Sequence, residues 1–276
     1  MFTIVAGTGY TGRRVLERLP ADEAVGLSRS QVDTDRPFHV FDFDRPGALP
    51  LELPDRYAVL YTCPPHGEDD ARLQRFLSRL TPAPARLVYI STTGVYGDTQ
   101  GTVVTEASAV DPHNSMASAR VAAESLAASW ASGVNCDLVV LRVPGIYGPG
   151  RLPLQRLQDG GAFLAEVDAG PGNRIHVDDL ATCCIAVLCE DAPAGIYNVG
   201  DGDHRSATWF AQEVARQAGL PAPRLISREA AQQEFSRVRL AFLAASRIVD
   251  TTKMREVLGV TPRYANPVEG IEASLA

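Results

Sequence analysis

Two periods alternate along the first half of the chain. Short apolar runs of strand length recur at 2–6, 23–27, 38–43, 57–62, 87–90 and 138–143, each bounded by Gly, Pro or Asp. Between several of them the apolar positions fall at helical spacing. Val15, Leu16 and Leu19 share one face, and Leu73, Phe76, Leu77 and Leu80 share another, with Arg and Gln outside. The Ala-, Glu- and Leu-rich segment 115–132 predicts a longer helix that stops at Gly133. Strands alternating with helices build a parallel sheet covered on both faces, a doubly wound α/β layer. The second half is less regular. The alternation lapses at Gly148-Pro149-Gly150 and resumes near Asn173. A buried helix is then predicted at 177–189 and one more strand at 195–199. After Asp201-Gly202-Asp203 come amphipathic helices and a stretch broken by Pro221, Pro223, Pro262 and Pro267. The organisation this predicts is a core over 1–150, to which 176–200 returns. The rest of 151–276 then serves mainly as a cap on the carboxyl edge of the sheet.

Composition narrows the class of protein. The 276 residues are 45% hydrophobic and 21% charged, ordinary for a globular chain and ample for a buried core. Lys and Arg number 26 against 33 Asp and Glu, and the net charge of −7 repels phosphate backbones. Nucleic acid is therefore not an expected partner. No apolar run approaches the roughly 18–20 residues that span a bilayer. The strand-like start at 2–6 leaves no room for a signal peptide. The expectation is a cytoplasmic protein with no membrane partner. The cysteines number five (Cys63, Cys136, Cys183, Cys184 and Cys189), without a CxxC pair or a histidine cluster beside them. Neither a disulfide framework nor a metal site is expected.

The first strand runs straight into Gly7-Thr8-Gly9-Tyr10-Thr11-Gly12, and an amphipathic helix follows at once. A glycine loop between strand and helix is the setting in which this spacing signals a dinucleotide site. Gly7 permits the tight turn, Gly9 lets backbone approach a pyrophosphate, and Gly12 allows the helix to pack closely on the strand. Tyr10 and Thr11 complete the loop. The second strand ends in Ser28-Arg29-Ser30, where an NAD site usually places an acid for the ribose 2′-hydroxyl. Asp33 is the nearest acid but lies beyond the expected strand end. Arg29 between two serines therefore favours NADP over NAD, with Asp42 and Phe43 at the next strand end bordering the same site.

Further along, Ile90-Ser91-Thr92-Thr93-Gly94-Val95-Tyr96-Gly97 brings hydroxyls to the carboxyl end of a strand, the edge where open α/β sheets bind ligands. With it come Leu141-Arg142-Val143-Pro144-Gly145-Ile146-Tyr147-Gly148-Pro149-Gly150, Asn173-Arg174-Ile175-His176-Val177-Asp178-Asp179-Leu180, Tyr197-Asn198-Val199-Gly200 and Leu258-Gly259. In order and spacing, over nearly the whole chain, these stretches resemble the extended short-chain dehydrogenase/reductase family, the NAD-dependent epimerase/dehydratase group. The resemblance implies a Rossmann-type sheet with a small C-terminal substrate-capping subdomain. It implies a cofactor shelf that includes Cys63 and Pro64, with Pro144, Gly145 and Ile146 beside the nicotinamide. It also implies a small-molecule substrate, with a nucleotide sugar among the candidates. A homodimer stays open as the assembly.

Family members use a Ser or Thr and then Tyr-x-x-x-Lys on one helical face. Here the hydroxyl is Thr92, but the later motif reads Met116-Ala117-Ser118-Ala119-Arg120. A thioether has no proton to exchange, so Met116 is no acid or base. Arg120 stays protonated and can still donate to a ribose. Losing a positioned acid–base group costs about 10²–10⁴ in rate. Cofactor binding at the glycine loop loses much less, so the chain resembles the atypical branch of the family. Tyr96, Tyr147 and His176 are candidates to replace the tyrosine, each with a packing or capping role as the alternative. Arg142 and Arg174 are either anion ligands or members of structural ion pairs. Two functions remain: an NAD(P)-dependent oxidoreductase or epimerase acting on a hydroxyl or keto carbon, and a non-catalytic NAD(P) sensor or regulator.

Overall fold

The computed structural model describes residues 1–31, 34–244 and 246–276. Seven parallel strands form one sheet in the order β11-β7-β5-β4-β1-β2-β3. They are β1 (Phe2–Ala6), β2 (Ala24–Ser28), β3 (Phe38–Val40), β4 (Tyr57–Tyr61), β5 (Arg86–Thr92), β7 (Asp137–Val143) and β11 (Gly195–Asn198). The chain runs from β1 to β2 on one side and later crosses to β4 on the other, so the order reverses beside β1. Ligands of doubly wound sheets bind at such a switch point. The fold is the expected Rossmann-type α/β layer.

Helices cover both faces because the strands are apolar on both. One face sets Val5, Leu60, Val88, Leu141 and Tyr197 against Val15 and Leu16 of α1 (Tyr10–Arg18), Leu180 and Cys184 of α5 (Val177–Leu188) and Met254 of α9 (Thr252–Leu258). The other sets Ile4, Leu27, Tyr61 and Tyr89 against Phe76 of α2 (Ala71–Leu77) and Ala123, Ala127 and Ala131 of α3 (Ser115–Val134). The alanines recur every fourth residue, so α3 lies close on the sheet along one small-residue stripe. Helix α3 continues past Gly133 and ends where Asn135 takes the left-handed conformation at φ 54°. The predicted stop is thus two residues short, because Asn also caps by this geometry.

Strand β5 begins one residue earlier than its apolar pattern suggests. Arg86 is buried, and its guanidinium donates to the carbonyls of Val187, Cys189 and Glu190 at the end of α5. It thereby satisfies acceptors that a helix C-terminus leaves over.

Smaller elements gather at the carboxyl edge. Three two-stranded pairs join β8 (Gly145–Tyr147) to β10 (Arg174–His176), β9 (Ala162–Leu164) to β12 (Arg224–Ile226) and β6 (Val103–Val104) to β13 (Ile248–Val249). Around them lie α4 (Leu154–Gln158), α6 (Ala207–Gln217), α7 (Arg228–Glu234), α8 (Arg237–Ala244) and α10 (Pro267–Leu275). Leu157, Phe163, Val214 and Ile271 make one separate apolar cluster there, and Leu164, Ala231 and Phe235 another. Among the described residues no helix is long and apolar enough to cross a membrane.

Candidate active site

The loop after β1 makes different demands on its three glycines. Gly7 has φ +99°, and a Cβ there would lie 2.7 Å from Thr62 Oγ1 and 2.9 Å from Cys63 Sγ. A Cβ on Gly12 would lie 2.1 Å from the Gly7 carbonyl oxygen, so this glycine lets α1 close on the loop. Gly9 is different: a Cβ there meets nothing within 4 Å. Protein packing does not require glycine at position 9, whereas close approach of a ligand does. Helix α1 also starts without a side-chain cap, unlike α2, α3 and α6, capped by Asp70, Asn114 and Ser206. Its first amides are therefore available to an anion. Thr8 Oγ1 is buried here with no partner. A cleft of about 810 Å³ opens against Thr8, Gly9, Tyr10 and Arg14. Arg14 and Arg151 stack on the Tyr10 ring at 4.5 and 4.1 Å, and its hydroxyl donates to Pro149. These features fit a dinucleotide pyrophosphate.

The ribose end is mixed. The Arg29 side chain is 72% exposed, with a 4.0 Å contact to Asp44 Oδ2 among the described residues. Asp44 is already held by Arg72 at 2.6 Å, and that bond keeps its carboxyl below the usual range. Ser28 is buried, and its carbonyl accepts from Phe41 at 2.7 Å. Asp33 lies outside the described residues. Strand β3 ends at Val40, so Asp42 and Phe43 fall in the loop beyond it and not at a strand end. Asp42 pairs with Arg45 at 3.1 Å. The buried Phe43 ring packs on Phe41, Tyr61 and Phe76, so it braces this edge from inside.

Two cavities meet at Thr92, Gly94 and Asn114. One, of about 520 Å³, lies between Pro64, Pro65 and Glu68 after β4 and the start of α3 with Met116 and Arg120. Met116 is half exposed at its wall. Arg120 donates to the Ile90 carbonyl at 2.7 Å and to Tyr89 Oη at 3.1 Å, so part of its guanidinium serves β5. Cys63 is buried just behind, and burial pushes its thiol up to about 12, which keeps it protonated. The second cavity, about 450 Å³, lies between Thr92, Pro144 and Gly145 and the cap residues Arg156, Phe163, Arg239 and Arg247. Ile146, next in sequence, packs partly buried against the core. Thr92 Oγ1 accepts from the Gly94 amide at 3.1 Å and keeps its own proton to donate.

The three substitutes considered for the missing tyrosine lie elsewhere. Tyr96 is buried and donates to Asn198 Oδ1 at 2.7 Å. Tyr147 is buried beside His176 and Phe210, and burial holds its phenol protonated far above neutral pH. His176 accepts from the Asp178 amide at 3.2 Å and so caps α5, and burial lowers its pKa. None of them lines either cavity. Arg142 and Arg174 are likewise structural, paired at 2.8 Å with Glu124 and Asp203. The sequence reading missed Arg156, Arg239 and Arg247, which no motif marks. It also missed His113 on the wall of the second cavity, although Asp111-Pro112-His113 just ahead of a capped helix was a signal to hand.

The sheet order and the glycine loop at the switch point define a Rossmann-type α/β fold. The model of the NAD dependent epimerase/dehydratase family matches residues 70–200. Over that stretch, which begins after the glycine loop, the chain is similar to the NAD dependent epimerase/dehydratase family. Protein YeeZ of Escherichia coli K12 is 32% identical over 145 residues, 50% of this chain and 48% of YeeZ. The chain spans about half the length of the curated relatives it matches. A functionally unknown conserved protein from Silicibacter pomeroyi DSS superposes at TM-score 0.83 with 28% identity, covering 100% of this chain and 98% of that one. MoeE5 in complex with UDP-glucose and NAD superposes at TM-score 0.78 with 20% identity, over 100% and 97% of the two chains.

Proposed function

We propose that the chain binds NADP or NAD along the β1–α1 loop and oxidises, reduces or epimerises a hydroxyl or keto carbon of an anionic small molecule of the nucleotide-sugar class. The observation that carries the substrate class is the arginine wall. Arg156, Arg239 and Arg247 line one cavity, and among the described residues none makes an ion pair with a carboxylate. Arg239 instead donates to the Ala162 carbonyl at 2.6 Å and Arg247 to that of Gly97. Burial pulls the Arg156 and Arg247 pKa values down, because each charge is poorly compensated. A diphosphate brought there supplies the missing counter-charge. The fold shared with MoeE5, solved with UDP-glucose and NAD, supports the same class.

In this reading the nicotinamide supplies or accepts hydride when bound. The chain's residues orient and exclude. The uncapped α1 amides hold the pyrophosphate, Pro144 and Gly145 wall the reacting carbon, and Thr92 donates to its oxygen. Met116 contributes shape alone. That thioether favours a second reading, a dinucleotide sensor that binds without turnover.

Calorimetry with UDP-glucose in the presence of NADH or NADPH tests the proposal. Arg239→Ala should weaken UDP-glucose by about 1.5–3 kcal/mol, the worth of a charged hydrogen bond. Wild-type protein that ignores UDP-glucose and other nucleotide sugars would remove the substrate class. Binding without any change in sugar or nicotinamide would select the sensor.

A further inference from the structure

The cleft has a hydroxyl at Thr92 and a thioether where the family tyrosine would stand. Turnover needs another group to exchange the proton, and one imidazole is at hand. His113 lines the same cavity as Thr92, Pro144 and Gly145. It stands three residues before Met116, next to the Asn114 cap of α3. Its Nε2 lies 3.0 Å from Asp111 Oδ2. Its side chain is 48% exposed, open to protons from solvent.

The backbone holds this pair against the top of β5. The Asp111 amide donates to the Val95 carbonyl at 2.9 Å. Gly97 has φ +67°, and a Cβ there would lie 2.0 Å from the Asp111 carbonyl oxygen and 3.2 Å from His113 Nε2. Glycine at 97 therefore lets the 111–113 loop close on the turn that follows Thr92. The charged groups around the imidazole are the carboxylates of Asp111 and Asp98 and the guanidinium of Arg247, with Arg156 and Arg239 on the cap wall.

We propose that His113, oriented by Asp111, is the acid–base residue of this cleft, in place of the tyrosine that Met116 displaces. The proposal rests on the reading of the site as a nicotinamide-dependent one. In the oxidative direction the carbinol O–H bond breaks and its proton passes to the neutral imidazole. The carbon's hydride passes to the oxidised dinucleotide as the C=O bond forms. The products are a carbonyl compound, reduced dinucleotide and imidazolium, and reduction runs the same steps backwards. The Asp111 carboxylate fixes the ring and stabilises the imidazolium. A carboxylate that holds a histidine serves this purpose in other acid–base pairs.

The test has two readouts. In the first, diethyl pyrocarbonate labels histidines of the wild-type chain, with and without NADH plus UDP-glucose, and mass spectrometry follows the label at His113. The ligands should abolish labelling there, since the proposal puts the substrate oxygen against the imidazole. In the second, His113→Gln should slow nicotinamide reduction by UDP-glucose about 10²–10⁴-fold and leave UDP-glucose affinity within a few-fold. Equal labelling of His113 with the ligands bound overturns the proposal, as does wild-type turnover in His113→Gln. So does protection without any turnover by the wild type. Wild-type protein that binds neither ligand fails earlier, and overturns the nicotinamide reading and this proposal together.

Discussion

Arg29 and Gly12 stand in the same corner of the sheet, yet a change at each should be read by a different instrument. Arg29 is exposed and bound to little, so Arg29→Ala should leave the melting temperature unchanged. If its charge reads a 2′-phosphate, NADP affinity falls while NAD affinity stays, and calorimetry with both cofactors separates the two. Equal losses for the two cofactors would show that Arg29 does not read the phosphate. At Gly12 a Cβ would sit 2.1 Å from a backbone oxygen that cannot step aside. Gly12→Ala should therefore cost about 1–3 kcal/mol or more, as overpacking does. A denaturant titration measures it.

Among the elements, the seam where β11 leaves the sheet carries a pH-sensitive group. Asp201 is 2% exposed, its Oδ1 accepts from the Asp203 amide at 2.9 Å, and its Oδ2 has no partner. Burial pushes its carboxyl up to about 7. A carboxyl raised on folding binds more protons in the folded state. The stability it lends is full in acid and is lost as pH climbs towards that value. Asp201→Asn keeps the amide contact and removes the charge, so it should raise the melting temperature at pH 8 more than at pH 5. An equal change at both would mean that folding does not raise the Asp201 pKa. The elements themselves were largely legible, because apolar runs and amphipathic faces report burial directly. What escaped was polar. Arg86 is hidden in β5 because three helix-end carbonyls need its guanidinium, and no hydrophobic pattern reports that need. Asn135 rather than Gly133 ends α3, since either residue can take the left-handed cap.

For the molecule as a whole, the glycine loop was readable because its residues are adjacent in sequence. The arginine wall was not, because its residues come from distant segments that meet Thr92 only after folding, and the Asp111–His113 pair gains its place only when its loop closes on the turn at Gly97. The same distance explains why Tyr96 and Tyr147 passed as proton donors on sequence grounds. Their motifs border the cleft, but their side chains turn into the core. The central claim is that this fold holds a nicotinamide dinucleotide at the β1–α1 loop. Gly9 tests it most directly, since a side chain there meets no protein atom within 4 Å. Calorimetric titration of NADH and NADPH against wild type and Gly9→Val, with melting curves of both, is the measurement. The account predicts that wild type binds at least one cofactor, and that Gly9→Val melts like wild type and binds neither. A wild type that binds neither cofactor, or a folded Gly9→Val that binds as wild type does, would contradict it.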